Sequence, residues 1–125
     1  MKNLNFSIGI LSWKGYASLC NSLKSYQENG LNSLTQSKFI CLPEYNNEGL
    51  KICKNFGYKP ILFKKNIGIL NGFKNLALNM PEGPLLLLEN DLPLVANDKI
   101  THTLLKQSLE HLYNCLLYTS DAADE

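Results

Sequence analysis

The sequence predicts an α/β fold with a doubly wound, mostly parallel sheet. Short apolar runs alternate with segments in which apolar residues recur at helical spacing, and the alternation continues along most of the 125 residues. The fourth run, Leu85–Leu88, is continuously apolar, as expected of a strand that is covered on both faces. Strands that alternate with helices pair in parallel through right-handed crossovers. The length allows one domain with a modest core.

The first strand is predicted at Phe6–Leu11, where apolar residues cluster before a polar turn. Apolar residues at helical spacing then predict a helix that ends at Gly30, a residue type suited to helix C-termini. These residues are Tyr16, Leu19, Cys20, Leu23 and Tyr26. The second strand is predicted at Phe39–Leu42, and a short helix that stops at Gly57 follows it. The apolar positions of that helix are Leu50, Cys53 and Phe56.

The third strand is predicted at Ile61–Phe63, and the helix after it breaks at Pro81–Pro84. Its apolar positions are Leu70, Phe73, Leu76, Ala77 and Met80. The fourth strand, Leu85–Leu88, leads to a last helix that Asp98 could cap. Its apolar face consists of Ile100, Leu104, Leu105, Leu109, Leu112 and Tyr113.

The final segment, residues 115–125, is predicted to be foreign to the natural protein. It resembles the in-frame translation of a transposase sequencing adapter, and a segment of that origin carries no information about the natural fold. Residues 1–114 are therefore assigned to one partial domain, which we expect to continue past Asn114. Without the three acids of the tail, eight acids oppose twelve lysines, a net charge near +4. These lysines are dispersed, which argues against nucleic-acid binding and leaves only weak attraction to anionic ligands or a membrane surface.

Cysteine usage and hydropathy predict a cytoplasmic protein. The three cysteines outside the tail, Cys20, Cys41 and Cys53, lack metal-binding spacing and are predicted to be buried, reduced thiols. No apolar run reaches the roughly 20 residues of a membrane span. Association of the parent protein with a membrane would therefore be peripheral.

Two acids, Glu89 and Asp91, follow the fourth strand. Ligands bind where parallel strands end, and a sheet of order 3-2-1-4 has its switch point between strands one and four. Ser12 and Trp13 are therefore predicted to lie beside the two acids. Carboxylates at this spacing suit Mg²⁺ or Mn²⁺ carrying a diphosphate. A strand that runs into a polar turn before Pro93 would explain the same residues without a ligand.

The turn after the first strand, Ser12–Gly15, is neither a dinucleotide fingerprint nor a P-loop. The sequence therefore disfavours a backbone cradle for phosphates. A diphosphate bound at this edge would need a metal ion, which Glu89 and Asp91 could hold.

Four elements together resemble the nucleotide-sugar glycosyltransferases of family 2, which have the Rossmann-like A-type fold. Ser12-Trp13 stands at the Thr-Tyr places of a Pro-Thr-Tyr-Asn-like turn. Pro43–Gly49 stands where the family has an Asp-Asp-Gly-Ser-Thr-Asp-Gly pattern. Asn66–Gly68 and Lys74-Asn75 match an Asn-x-Gly element and a basic-Asn pair, and Glu89–Asp91 matches Asp-x-Asp. The chain is interpreted as the truncated N-terminal half of such a domain.

The resemblance implies metal-assisted, inverting transfer of a hexosyl group from a nucleoside diphosphate sugar to an unknown glycan, lipid or protein acceptor. It implies that Ser12, Trp13 and Glu44 hold the base and ribose. Asp91 would ligate Mn²⁺ or Mg²⁺, and Glu89 would bind the metal through water or contact the ribose. The other implied nucleotide-sugar contacts are Glu48, Lys74, Asn75 and Asn90. The catalytic base is expected in the missing C-terminal half, so the fragment itself is expected to be inactive.

The sequence departs from the family pattern at two places. Pro43-Glu44 replaces a pair of aspartates, and Glu89 replaces another aspartate, which keeps the charge but lengthens the side chain. Two alternatives therefore stay open. One is a nucleotidyltransferase-like enzyme, although its glycine- and arginine-rich first loop is not seen. The other is a non-catalytic α/β binding module in which Glu89 and Asp91 merely end a strand.

Overall fold

The computed structural model describes residues 3–124, and the side chains of residues 3–115 within that range. Four strands alternate with four helices in the described part of the chain. They are β1 (Ser7–Leu11), α1 (Tyr16–Glu28), β2 (Lys38–Pro43), α2 (Asn47–Phe56), β3 (Lys59–Phe63), α3 (Gly68–Asn79), β4 (Leu85–Glu89) and α4 (Asp98–Asp124). The predicted foreign tail, residues 115–125, falls outside the described side chains except at its first residue.

The strands form one parallel sheet in the order β3-β2-β1-β4. The α/β class, the parallel pairing and the strand order predicted from the sequence are therefore confirmed. In the register, Leu11 lies level with Cys41 of β2 and with Glu89 of β4. β1 and β4 end at this level and β2 ends two residues later, so the segments that follow the three strands emerge side by side at the carboxyl edge of the sheet.

Helices cover both faces of the sheet, as a doubly wound fold requires. On one face, Ile8, Ile10 and Ile40 pack with Leu19 of α1 and Ile52 of α2. Leucines of α4 join this cluster as partly buried residues, namely Leu105 and Leu109. On the other face, α3 packs alone against the sheet. Leu11, Cys41, Leu76 and Met80 form the buried centre of that second cluster.

The α3 helix approaches β1 closely because Gly72 has no side chain. A Cβ atom at Gly72 would lie 2.5 Å from Cδ1 of Leu11, so a larger residue there would force the Leu11 side chain or the helix to move. Gly72 occupies the contact position, and the face of α3 that lies on the sheet is rotated relative to the apolar face predicted from the sequence. Leu76 and Met80 are buried as predicted, but Leu70 is 81% exposed. The apolar pattern alone could not reveal this rotation, since a glycine carries no hydrophobic signal.

The two edges of the sheet differ in how they are protected. The outer strand β3 carries Pro60 in its middle and a lysine, Lys59, at its start, both of which discourage pairing with another strand. The outer strand β4 is a run of leucines, Leu85–Leu88, without a proline or a charge before Glu89. This edge exposes unpaired backbone groups together with apolar side chains.

We expect the chain to self-associate through β4, because an unprotected apolar edge strand is a template for pairing with another chain. Light scattering should detect species larger than a monomer, and Leu87→Lys should reduce them several-fold by placing a charge on that edge. Leu62→Lys on β3 is the matched control, since Leu62 and Leu87 are both 39% exposed. A monomeric wild-type chain, or equal effects of the two variants, would contradict pairing through β4.

In the described part of the chain, no helix has both the length and the apolar character that crossing a membrane requires.

Candidate functional site

The turn after β1 lies at the carboxyl edge of the sheet and has an unusual backbone. The backbone N–H of Ser12 donates a 3.0 Å hydrogen bond to the carbonyl oxygen of Cys41, which extends the ladder between β1 and β2. The Ser12 hydroxyl donates to the carbonyl oxygen of Lys14 at 2.8 Å. Lys14 and Gly15 both adopt left-handed backbone angles, with φ of 55° and 61°. Ser12 is completely buried, and its hydroxyl stabilises the turn through the hydrogen bond to Lys14.

Lys14 connects two of the predicted ligand contacts, Trp13 and Glu44. Its Nζ atom lies 5.4 Å from the centroid of the Trp13 ring. The same atom lies 3.4 Å from Oε2 of Glu44. Both contacts are at the surface, so the ion pair contributes only about 0 to 1 kcal/mol to stability. Their importance is geometric, since they place an exposed indole, a cation and a carboxylate in one cluster.

Lys14 was not among the residues singled out from the sequence. Thirty positions separate Lys14 from Glu44 along the chain. Their contact follows only from the pairing of β1 with β2, which brings the exits of the two strands together. The strand order predicted from the sequence indicates that the ends of β1 and β2 are neighbours. It does not indicate the left-handed turn that directs Lys14 toward Glu44.

The exit of β2 leads directly into the first turn of α2. Glu44 adopts a left-handed φ of 49°, and Asn46 caps the helix by accepting a 3.1 Å hydrogen bond from the N–H of Gly49. Glu48 is exposed in the same turn, where its charge also suits the helix N-terminus. Gly49 packs against the buried ring of Tyr16, the first residue of α1. This contact between the first turns of α1 and α2 therefore fixes the segment after β1 relative to the segment after β2.

The end of β4 presents two exposed carboxylates, Glu89 and Asp91, on either side of Asn90. The side-chain amide of Asn90 donates a 3.2 Å hydrogen bond to the carbonyl oxygen of Gly15. Its backbone carbonyl accepts a 2.8 Å hydrogen bond from the hydroxyl of Ser22 on α1. Asn90 was predicted to contact the nucleotide sugar, and the structure shows its amide bonded to the β1–α1 turn.

Polar residues of α1 anchor the segment after Asn90. The Ser25 hydroxyl accepts a 2.8 Å hydrogen bond from the backbone N–H of Leu94, and the Asn29 amide donates to the carbonyl oxygen of Leu94 at 3.0 Å. The Tyr26 hydroxyl donates to the carbonyl oxygen of Leu92. Sequence analysis missed this role, although Ser22, Ser25 and Asn29 recur at intervals of three and four residues, which places them on one side of a helix.

Glu89 and Asp91 provide a donor set that a hard cation could use. Neither carboxylate makes an ion pair with another described residue, so both are open to solvent and ligands. Among the described residues, no three His, Cys, Asp or Glu side chains gather closely enough to hold a metal ion. A cation bound here would complete its shell with phosphate oxygens and water, as Mg²⁺ commonly does. The structure offers two carboxylates for such a cation, and no third His, Cys, Asp or Glu ligand among the described residues.

Lys74 and Asn75 lie on a different element from the other candidate site residues. Both belong to α3, the helix on the opposite face from α1, and they follow its first residue by six and seven positions. At 1.5 Å per residue this is about 9 Å along the helix. Lys74 is exposed, and the amide of Asn75 donates to the carbonyl oxygen of Asn71 at 2.8 Å. No described hydrogen bond or ion pair joins either residue to the other candidates.

An apolar cavity of about 920 Å³ lies at the opposite, amino edge of the sheet, beneath α4. Leu4, Pro84, Leu109 and Tyr113 are among its lining residues. None of the predicted site residues lines this cavity, so the cavity is separate from the candidate site at the carboxyl edge of the sheet.

No protein-family model matches the chain, and neither the curated proteins nor the solved structures offer a match. The family resemblance therefore rests on the sequence elements quoted above.

Proposed function

We propose that this chain forms the donor-binding part of a nucleotide-sugar-dependent glycosyltransferase that transfers a hexosyl group with the help of Mn²⁺ or Mg²⁺. One observation carries the proposal. The exits of β1, β2 and β4 meet at one sheet edge, where Lys14 bonds to Glu44 and Asn90 bonds to the β1–α1 turn. An aromatic and acidic cluster thus lies on one side, and a pair of open carboxylates on the other.

The first side suits a nucleoside. Trp13 is 50% exposed and offers an aromatic surface on which a base can stack, a contact worth about 1 to 3 kcal/mol. Glu44 can accept hydrogen bonds from a base N–H or from ribose hydroxyls. Lys14 reduces the repulsion between Glu44 and an incoming phosphate, because its ammonium lies beside that carboxylate. Trp13 and Glu44 would therefore bind the nucleoside, and Lys14 would limit the repulsion between Glu44 and the diphosphate.

The second side suits the diphosphate. Glu89 and Asp91 would hold the divalent cation, and the cation when bound would neutralise the diphosphate leaving group as a Lewis acid. The backbone beneath the two acids is anchored to α1 through Ser22 and Ser25. Acids on an anchored segment need little reordering when they bind, which favours affinity.

Calorimetry with UDP, GDP and TDP and with the corresponding nucleoside triphosphates, in Mn²⁺ and in EDTA, tests the proposal. We expect binding that depends on the metal. Trp13→Leu should weaken it about tenfold because the stacking surface is lost. Tyr113→Leu is the matched control, since Tyr113 is also an exposed aromatic but lies on α4 beside the amino-edge cavity. Absence of binding under both conditions would favour a non-catalytic module, and preference for nucleoside triphosphates would favour a nucleotidyltransferase-like enzyme.

A further inference from the structure

A side-chain hydrogen bond links the two sides of the candidate site. It runs from the amide of Asn90 to the carbonyl oxygen of Gly15, at 3.2 Å. Asn90 stands between Glu89 and Asp91 in the chain, and Gly15 ends the turn that contains Trp13 and Lys14. The diphosphate side and the nucleoside side therefore meet at this bond.

The turn that receives this bond has a conformation that needs support. Lys14 has a φ of 55°, in the left-handed region that residues with a side chain rarely adopt. Such residues persist when the surrounding structure holds them in place. The Ser12 hydroxyl supports the turn from one side by donating to the carbonyl of Lys14. The next carbonyl, that of Gly15, accepts from the backbone N–H of Leu19 at 3.0 Å, and Asn90 is a second donor to it from the other side.

Gly15 and Asn90 also fit each other sterically. Gly15 has a φ of 61°, and a Cβ atom at this position would lie 2.5 Å from the amide nitrogen of Asn90. The amide therefore occupies the space that a side chain at position 15 would need. The backbone of Asn90 is fixed separately, since its carbonyl accepts the hydrogen bond from Ser22. Replacing the Asn90 side chain should thus free the turn while leaving Glu89 and Asp91 anchored.

We propose that Asn90 is a positioning residue that holds Lys14 and Gly15 in their left-handed turn. Through this turn it fixes Trp13 and the Lys14–Glu44 ion pair relative to Glu89 and Asp91. The effect on nucleotide affinity rests on the proposed function. The effect on the turn does not, since it is argued from the hydrogen bond and from the steric fit between Gly15 and the Asn90 amide.

The chain offers a direct probe, because Trp13 is its single tryptophan. We expect Asn90→Ala and Asn90→Asp to change the acrylamide quenching and the emission maximum of Trp13. The aspartate variant is nearly isosteric, but its carboxylate cannot donate to the Gly15 carbonyl. Asn71→Ala is the matched control, since the Asn71 amide also donates to a carbonyl, that of Ile67, but lies on α3. Unchanged Trp13 fluorescence in both Asn90 variants, with far-ultraviolet dichroism intact, would overturn the proposal.

A second measurement separates this inference from the proposed function. Calorimetry should show that Asn90→Ala weakens UDP binding in Mn²⁺ about two- to tenfold, the range expected for one hydrogen bond. The ratio of the affinities in Mn²⁺ and in EDTA should stay as in the wild type, because Glu89 and Asp91 keep their positions. A collapse of that ratio would mean that Asn90 acts on the metal side and would contradict the proposed role. Altered fluorescence in a chain whose wild type binds no nucleotide would refute the function and leave the positioning role standing.

Discussion

The free energy of unfolding is expected to fall by several kcal/mol between about pH 9 and pH 11. Cys41 and Cys53 are completely or almost completely buried, at 0% and 1% exposed. Burial raises the pKa of each of these thiols to about 11. They lie on opposite faces of the sheet, so both halves of the core should contribute to the loss.

The sign follows from proton linkage. In the unfolded chain a thiol loses its proton near pH 9, whereas the folded chain holds the proton until about pH 11. Within that window the folded state binds more protons, so stability falls as the pH rises. One pKa unit corresponds to about 1.4 kcal/mol, which gives at most about 3 kcal/mol for each thiol. Below about pH 8 the full contribution is retained.

Other groups modify the alkaline behaviour, among them the buried Tyr58 and the half-buried Lys38. Burial raises the pKa of the Tyr58 hydroxyl, which donates a hydrogen bond to Oδ1 of Asn32. Tyr58 therefore adds to the loss above about pH 10, where a free tyrosine would ionise. Burial lowers the pKa of Lys38, which has the opposite sign and offsets part of the loss. The thiols should still dominate at the start of the window, because they have the lowest reference pKa.

Urea unfolding at pH 7, 9 and 10.5 measures the effect. Cys41→Ala and Cys53→Ala will each lower stability at pH 7, because they remove buried atoms. The diagnostic quantity is therefore the slope of stability against pH, which should flatten in each variant and most in the double variant. A wild-type slope near zero, or a double variant with the wild-type slope, would show that the thiols do not control alkaline stability.

The positions of the strands could be predicted from the sequence because each strand combines an apolar run with a clear break. Leu85–Leu88 stops at Glu89, and β4 is observed at Leu85–Glu89. The strand order also followed, since right-handed crossovers allow few arrangements of four parallel strands. The helix faces were harder to predict. Gly72 controls how α3 packs on β1, and its effect depends on a close approach to Leu11 that no apolar pattern encodes.

The candidate site was predictable to the extent that strand ends determine it. Trp13, Glu44, Glu89 and Asp91 all follow strands that end at one edge, so the register of the sheet brings their segments together. The links between these segments were not predictable. The Lys14–Glu44 ion pair depends on two left-handed residues, and the bond from Asn90 to Gly15 depends on one side-chain rotamer. Lys74 and Asn75 entered only through the family resemblance, which gives no distance from the sheet edge.

Asp91→Asn is expected to weaken metal-dependent nucleotide binding at least tenfold in Mn²⁺ and much less in EDTA. Asparagine keeps the shape of the side chain but removes the negative charge that a hard cation prefers. Even changes to groups that only support a metal ligand typically lower metal affinity about 10- to 100-fold. A direct ligand should therefore show at least the lower value, which corresponds to about 1.4 kcal/mol.

Glu82→Gln is the control for the loss of one negative charge. Glu82 is exposed in the turn before β4, at the amino edge of the sheet, so it lies far from the proposed metal. Its removal should leave the Mn²⁺-dependent affinity within about twofold of the wild type, because distant exposed charges are largely screened by salt. Glu89→Gln should fall between the two variants if Glu89 reaches the metal through water. Equal, small losses in Mn²⁺ and in EDTA for Asp91→Asn would exclude direct ligation, because the loss of a direct ligand weakens binding only when the cation is present.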